Sequence, residues 1–332
     1  MSRARVVSGM RPTGRLHLGH LAGALRKWVA LQQEYDCFYF IADWHALTSD
    51  YADTGQLTAY AYDNVADWIA VGLDPETSTF FVQSLVPEHA ELFVLLSMVV
   101  PVPWLERVPT YKEQQENLSD KDLSSIGFLG YPLLQTADVA MYDARFVPVG
   151  DDQVAHLELA REVIRRFNNF YGEVLAEPQP MLTSFARLPG LDGGKKMSKS
   201  IGNTIHLSDP PDEVRRKVMS MYTDPKRVRA DIPGTVEGNP VFTYHDAFNP
   251  NIAEVDDLKS RYRAGAVGDV EVKRKLADAL NRTLEPIRER RAAVLARPAD
   301  LKQLLFDGSA RARRAAARTM ERVRDAMKIT YR

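Results

Sequence analysis

The chain has 332 residues, 45% of them hydrophobic and 26% charged, with a formal net charge of −1. That length suits two domains with cores of their own, and the apolar content excludes a disordered or collagen-like chain. A lone cysteine, Cys37, excludes a disulfide framework, a cysteine-ligated zinc and an iron–sulfur cluster. In chain order, a short apolar strand is expected at 5–8, ended by Gly9. A helix follows over about 17–33, then an apolar run at 37–41 fit for a buried parallel strand. Tyr62, Val65 and Ile69 set a helical spacing over 58–71, and Gly72 stops it. Strands are expected at 78–82 and 146–149. Helices are expected at 90–100, 131–142 and 152–170, with Pro132 suited to a first helical turn. This alternation predicts an α/β fold, a doubly wound parallel sheet with helices on both faces.

From residue 210 the pattern turns helical, over 212–222, 253–263, 270–295 and 309–327. Leu276, Leu280, Leu284 and Ile287 form the apolar stripe of the third, which Pro286 should kink. Gly- and Pro-rich stretches at 189–194 and 233–240 read as linkers. The first residues carry no apolar run of the secretory kind, and Pro101 and Pro103 break the most apolar stretch, 92–105. Crossing a bilayer takes ~20 apolar residues, so a cytoplasmic protein with no membrane partner is expected. The small net charge hides an asymmetry. Residues 1–184 hold 13 basic and 24 acidic side chains (−11), and residues 185–332 hold 30 and 20 (+10). Such a split hints at a polyanionic partner for the basic half, or at an acidic domain pairing with a basic one.

Two clusters can carry chemistry. In the first, Ser8 to His20, a strand passes through a turn into a helix. A helix N-terminus at the carboxyl end of such a strand offers unpaired N–H groups to phosphate. His17 and His20 share a face there, and Gly19 leaves room for a base or ribose. A His-x-x-His metal pair is the other reading, without a third ligand nearby. In the second cluster, Lys195, Lys196 and Lys199 lie between Gly194 and Gly202. Glycine flanks let a loop close, and lysine is a point charge suited to phosphate oxygens. A solvated basic loop is the bland alternative. A third group, Tyr131, Gln135, Asp138 and Tyr142, is spaced four, three and four apart and forms one helical stripe. Its two tyrosines suit a pocket, and its aspartate could accept a hydrogen bond from an indole N–H or a phenol.

His17-Leu18-Gly19-His20 resembles the HIGH motif of the class I aminoacyl-tRNA synthetases, with Leu for Ile, and Lys196-Met197-Ser198-Lys199-Ser200 matches KMSKS. The short gap between them suits the tryptophan and tyrosine subclass. Val147 to Gln153, His156-Leu157-Glu158, Arg166-Phe167-Asn168, Tyr171-Gly172 and the block from Ile201 to Ile205 look like the bacterial tryptophanyl-tRNA synthetases. Arg11 stands where many relatives carry Gln, and Gln135 where an apolar residue is common. The Tyr-x-x-x-Gln-x-x-Asp pattern is also a tyrosine-enzyme feature, which keeps a tyrosyl enzyme as the alternative. A paralogue serving a non-tRNA acceptor is a remoter one.

The resemblance implies a Rossmann-like catalytic domain over 1–205, a helical anticodon-binding domain over 206–305, and a C-terminal helix over 306–332 packing back on the first. It implies activation of tryptophan with ATP and Mg2+, followed by transfer to the 3′ end of tRNA(Trp). His17, His20, Lys196 and Lys199 would be catalytic. Arg11, Pro12, Thr13, Gly19, Gly150, Asp151, Asp152, Leu188, Met197, Ser198 and Ser200 would join them in framing ATP. Tyr131, Gln135, Gln153, Asp138, His45 and Val7 would hold tryptophan, with Asp138 on the indole N–H and Lys112 a weaker candidate. No protein side chain is expected to ligate a metal. A homodimer is implied, and a DNA partner is not. Arg311, Arg314, Arg318 and Arg322 form a basic stripe open to tRNA phosphates or to packing on the first domain.

Overall fold

The computed structural model describes residues 3–109, 111, 122–150, 153–182, 188–194, 197, 202–224, 227 and 229–331. The chain forms two compact units: residues 1–14, 27–184 and 297–332 make the first, and residues 15–26 and 185–296 make the second.

The first unit is built on five parallel strands: β1 (Arg5–Met10), β2 (Asp36–Ile41), β3 (Ser78–Val82), β4 (Phe146–Val149) and β5 (Gln179–Leu182). Their order is β3-β2-β1-β4-β5. Parallel neighbours need crossover connections, and apolar strands such as Cys37–Ile41 are buried between the resulting helices. The order reverses between β1 and β4, the switch point where open α/β sheets bind ligands. Gly9 does not end β1. A Cβ there would lie 2.4 Å from the Phe40 ring, so glycine is what lets the two strands pack. The strands at 78–82 and 146–149 fall where the sequence places them. β5 was not anticipated, because Gln179-Pro180-Met181-Leu182 is short and polar-started; as an edge strand it tolerates its proline.

The helices of this unit are α3 (Asp43–Asp50), α4 (Leu57–Val71), α5 (Glu88–Ser97), α6 (Val102–Glu106), α7 (Ile126–Ala140), α8 (Val154–Tyr171) and α13 (Pro298–Ala326). Gly72 caps α4 in the left-handed conformation, φ +112°. α7 starts earlier than expected because Ser125 caps it, its Oγ accepting from the Phe128 N–H at 3.1 Å. Pro132 therefore lies inside the helix and not in its first turn. α3 and α6 carry no apolar periodicity to betray them.

α13 is one unbroken helix that begins well before the expected 309. Ala312, Ala315, Ala316, Met320 and Val323 are buried, and Ser309 Oγ accepts from the Val82 N–H at 3.2 Å, satisfying a donor on the open edge of β3. Gly308 permits this approach, since a Cβ there would sit 1.8 Å from the Phe80 carbonyl oxygen. In a free helix, glycine to alanine stabilises by ~1 kcal/mol. Here Gly308→Ala is expected to destabilise by about 3 kcal/mol, read as a lower urea midpoint. A raised midpoint would refute the contact.

In the second unit, α1 (Leu18–His20) continues through a π-helical turn (Leu21–Leu25) into α2 (Arg26–Leu31), and the division between units falls within this helix. The unit also holds α9 (Pro211–Met219), α10 (Pro240–Phe248), α11 (Ile252–Arg263) and α12 (Asp269–Leu295), which continues through Pro286. α10 follows the stretch read as a linker; Asn239 caps it, with Pro240 in its first turn. The units divide the chain after residue 184, not after 205, and residues 297–305 go with the first.

Candidate active site

In the first unit, the carboxyl ends of the strands deliver the expected residues. β1 leads to Arg11, Pro12 and Thr13; β2 to α3, whose first turn carries His45; β4 to Gly150 and then Gln153 at the head of α8. Val7 is buried in β1. Asp138 is 1% exposed on α7 and bonds three side chains. Its Oδ1 accepts from Gln83 Nε2 at 2.7 Å and pairs with His89 Nδ1 at 2.6 Å; its Oδ2 pairs with His45 Nε2 at 2.7 Å. Burial pushes its carboxyl up, but the bonds from His45 and His89 outweigh that and hold it below the ordinary range. Asp138 is thus an ionised acceptor. A carboxylate has about four lone-pair directions, and three of them are filled by the protein.

Tyr131 is buried on the same helix, its hydroxyl 3.1 Å from His156 Nε2. Gln135 and Gln153 are half-buried. Tyr142 departs from the expected stripe: α7 ends at Ala140, and Tyr142 is fully buried, stacked on Phe38 with its hydroxyl 2.6 Å from His89 Nε2. Burial, then the charges of Asp138 and Glu88, push its phenol well above the ordinary range. Arg11 bonds Ser49 and reaches Asp50 at 3.3 Å; burial lowers its guanidinium, against the opposing charges of Asp50 and Tyr131. The sequence reading missed Gln83 and His89. Gln83 had a signal, as the first residue past a parallel strand. His89 shares a helical face with the buried Leu92 and Leu96, which reads as plain core. Lys112, Asp151 and Asp152 lie outside the described residues.

In the second unit, His17 and His20 cap α1 reciprocally. His17 Nδ1 accepts from the Gly19 N–H and His20 Nδ1 from the His17 N–H, each at 3.1 Å. Their rings lie 3.9 Å apart. Because both Nδ1 atoms accept, each neutral ring carries its proton on Nε2. A Cβ on Gly19 would come 2.9 Å from the His17 ring and 3.2 Å from Met197 Sδ, so the buried Met197 packs on the His17–His20 turn. The two segments are tied by backbone as well: Leu18 N–H donates to Ile205 O and Leu207 N–H to Leu16 O, both at 3.0 Å, with His17 opposite His206. The stem of the lysine loop is fixed by Asp192, whose Oδ1 accepts from Asn203 Nδ2 at 3.0 Å and the Gly194 N–H at 3.1 Å. Gly193 and Gly202 take left-handed φ of +80° and +73° on either side. Tyr222 N–H donates to Leu191 O at 2.8 Å, and the buried Lys273 holds the next turn through Met221 O at 2.6 Å and Thr223 Oγ1 at 2.7 Å. Leu188 is buried beside this stem. Lys195, Lys196, Ser198, Lys199 and Ser200 lie outside the described residues.

Residues 1–285 match the family described as tRNA synthetases class I (W and Y). The chain belongs to that family. It is 52% identical to the tryptophan–tRNA ligase of Treponema pallidum, covering 99% of this chain and 98% of that one. It is 49% identical to the tryptophan–tRNA ligase of Thermotoga maritima, covering 98% and 100%. Among solved structures, the tryptophanyl-tRNA synthetase of Campylobacter jejuni, complexed with ADP and tryptophan, superposes with a TM-score of 0.87 at 32% identity, covering 98% and 99%. Of the marks of a class I synthetase, the HIGH-like turn and Met197 of KMSKS lie in the second unit. The clamped carboxylate lies in the first.

Proposed function

We infer that this chain activates L-tryptophan with ATP, releasing pyrophosphate, and passes the tryptophanyl group to the 3′-terminal ribose of tRNA(Trp). The observation that carries the choice of amino acid is the clamp on Asp138. It leaves one of the carboxylate's about four acceptor directions without one of these bonds. An indole N–H is a donor only and needs one acceptor. A phenol O–H would fill that direction but bring an acceptor of its own, which needs a further donor.

The tryptophan carboxylate attacks the α-phosphorus of ATP; the new P–O bond forms as the bond to pyrophosphate breaks. No protein nucleophile is needed, so catalysis is positioning and charge neutralisation. Tyr131, Gln135 and Gln153 would hold the ammonium, with His45 and Val7 lining the side chain. His17 and His20 would turn their Nε2–H donors to phosphate oxygens or ribose. Arg11, Pro12, Thr13, Gly19, Gly150, Asp151, Asp152, Leu188, Met197, Ser198 and Ser200 would frame the nucleotide, and Lys196 and Lys199 would neutralise the pyrophosphate; Lys112 is a further candidate contact. Mg2+ would enter on the triphosphate. Helices of the second unit would read the anticodon, and Arg314 and Arg318, exposed on α13, would face RNA phosphates. A homodimer through the first unit is the assembly we assign. No described helix is long and apolar enough to cross a membrane, and the cytoplasm is the compartment we assign.

Amino-acid-dependent ATP–pyrophosphate exchange, run with each of the twenty amino acids, tests the reading. Exchange with tryptophan alone is expected. Exchange with tyrosine and not tryptophan would replace it with the tyrosyl alternative, and adenylate formation without tRNA charging would point to another acceptor.

A further inference from the structure

Asp138 is held by more than its contact with substrate requires. His89 has no exposed surface and bridges two other buried groups, with Nδ1 on Asp138 Oδ1 and Nε2 on the Tyr142 hydroxyl, each at 2.6 Å. An ionised carboxylate can only accept, so Nδ1 carries a proton; in the neutral ring Nε2 accepts from Tyr142 O–H. Protons are therefore ordered in one direction along the chain Tyr142, His89, Asp138. We propose that His89, oriented by Tyr142, is a specificity-positioning residue that keeps Asp138 an ionised acceptor with a single direction open to the substrate. This rests on Asp138 as the reader of the indole N–H and extends it to a residue that need not touch the substrate.

The groups facing this chain are few. His45 comes from α3, and Glu88 and His89 from α5. Glu88 pairs with Arg313 of α13. Arg5 of β1 donates to the Tyr142 carbonyl at 3.0 Å. His156 of α8 is engaged with Tyr131. Among these partners only His45 and His89 bond the carboxylate as titratable donors. With one removed, burial is opposed by fewer hydrogen bonds, and the carboxyl rises toward neutral pH. Protonation would then turn the acceptor into a donor and close the direction meant for the indole.

The test is tryptophan-dependent pyrophosphate exchange from about pH 8 to about pH 5.5, with thermal melting of each variant. His89→Leu removes the donor. It is expected to raise KM for tryptophan about tenfold or more while kcat stays within about threefold, since a hydrogen bond to a charged group accounts for that range. KM should climb further as pH falls, where the wild-type KM stays flat. His89→Asn places an amide donor at the Nδ1 position and should restore both; His89→Gln places it toward Nε2 and should not. If the leucine variant fails to fold, the asparagine and glutamine variants carry the comparison. An unchanged KM and pH profile in the leucine and glutamine variants would overturn the proposal. So would equal losses in kcat and in KM for ATP, or no rescue by asparagine. Asp138→Asn separates the two layers. Intact tryptophan selection in that variant overturns the reading of Asp138 itself, whereas lost selection there beside unaffected His89 variants overturns only the role of His89.

Discussion

Asp138→Ala is expected to lower kcat/KM for tryptophan in pyrophosphate exchange by about 10³-fold. A charge-assisted hydrogen bond accounts for ~1.5–3 kcal/mol, or roughly 10- to 150-fold. The remainder comes from misplacement, because the indole loses the one directional contact that orients the carboxylate toward the α-phosphorus. Discrimination is the sharper readout. A site built around a buried acceptor rejects an analogue lacking the donor by roughly 10⁴–10⁵-fold, and the tryptophan-to-phenylalanine ratio should collapse when the acceptor is gone. KM for ATP should hardly move. The same substitution strips His45, Gln83 and His89 of their common partner. A loss of about 3–5 kcal/mol of stability is therefore expected as well, and exchange must be measured below the variant's melting point. Unchanged selectivity for tryptophan would remove Asp138 from the site.

Lys196→Ala is expected to slow adenylate formation by about 10²–10³-fold while tryptophan binding in the ground state stays within a few fold. The charge that needs neutralising appears on the departing pyrophosphate, so a lysine serving it acts mainly in the transition state. Single-turnover adenylation beside equilibrium binding separates the two effects. Equal losses in both would make Lys196 a simple binding contact. The described residues that flank these lysines are held in place: Asp192 bonds Asn203, Lys273 and Tyr222 bond the neighbouring backbone, and Met197 packs at Gly19.

Much of this was legible in the residues. His17, Gly19 and His20 form a turn whose capping hydrogen bonds join residues two and three apart, so their pattern is visible as a pattern. Strand β2 holds a continuous apolar run at 37–41, and Gly72 stops α4 by its own conformational freedom. Other features had no local signal. α3 is polar on most sides and depends on its place after β2, with Asp43 Oδ1 accepting from the Ser84 N–H at 3.1 Å. The edge strand β5 is defined by its pairing with β4 and not by composition.

The sequence by itself determined what travels with short segments: the His17–His20 turn, the lysine-rich motif, the alternation that makes a parallel sheet, and the family. Tertiary structure decided how Asp138 works. Its partners His45, Gln83 and His89 stand 93, 55 and 49 residues away and meet it only because parallel crossovers bring their elements together. It also decided the meaning of the charge asymmetry. Residues 297–332 carry ten basic and four acidic side chains, yet they belong to the unit formed by most of the acidic half. There Arg313, Arg322 and Arg324 pair with Glu88, Asp143 and Glu91. A count along the chain cannot see this, because charge compensates by distance in space, and residues 225 and 233 positions apart become neighbours when a helix lies across a sheet edge.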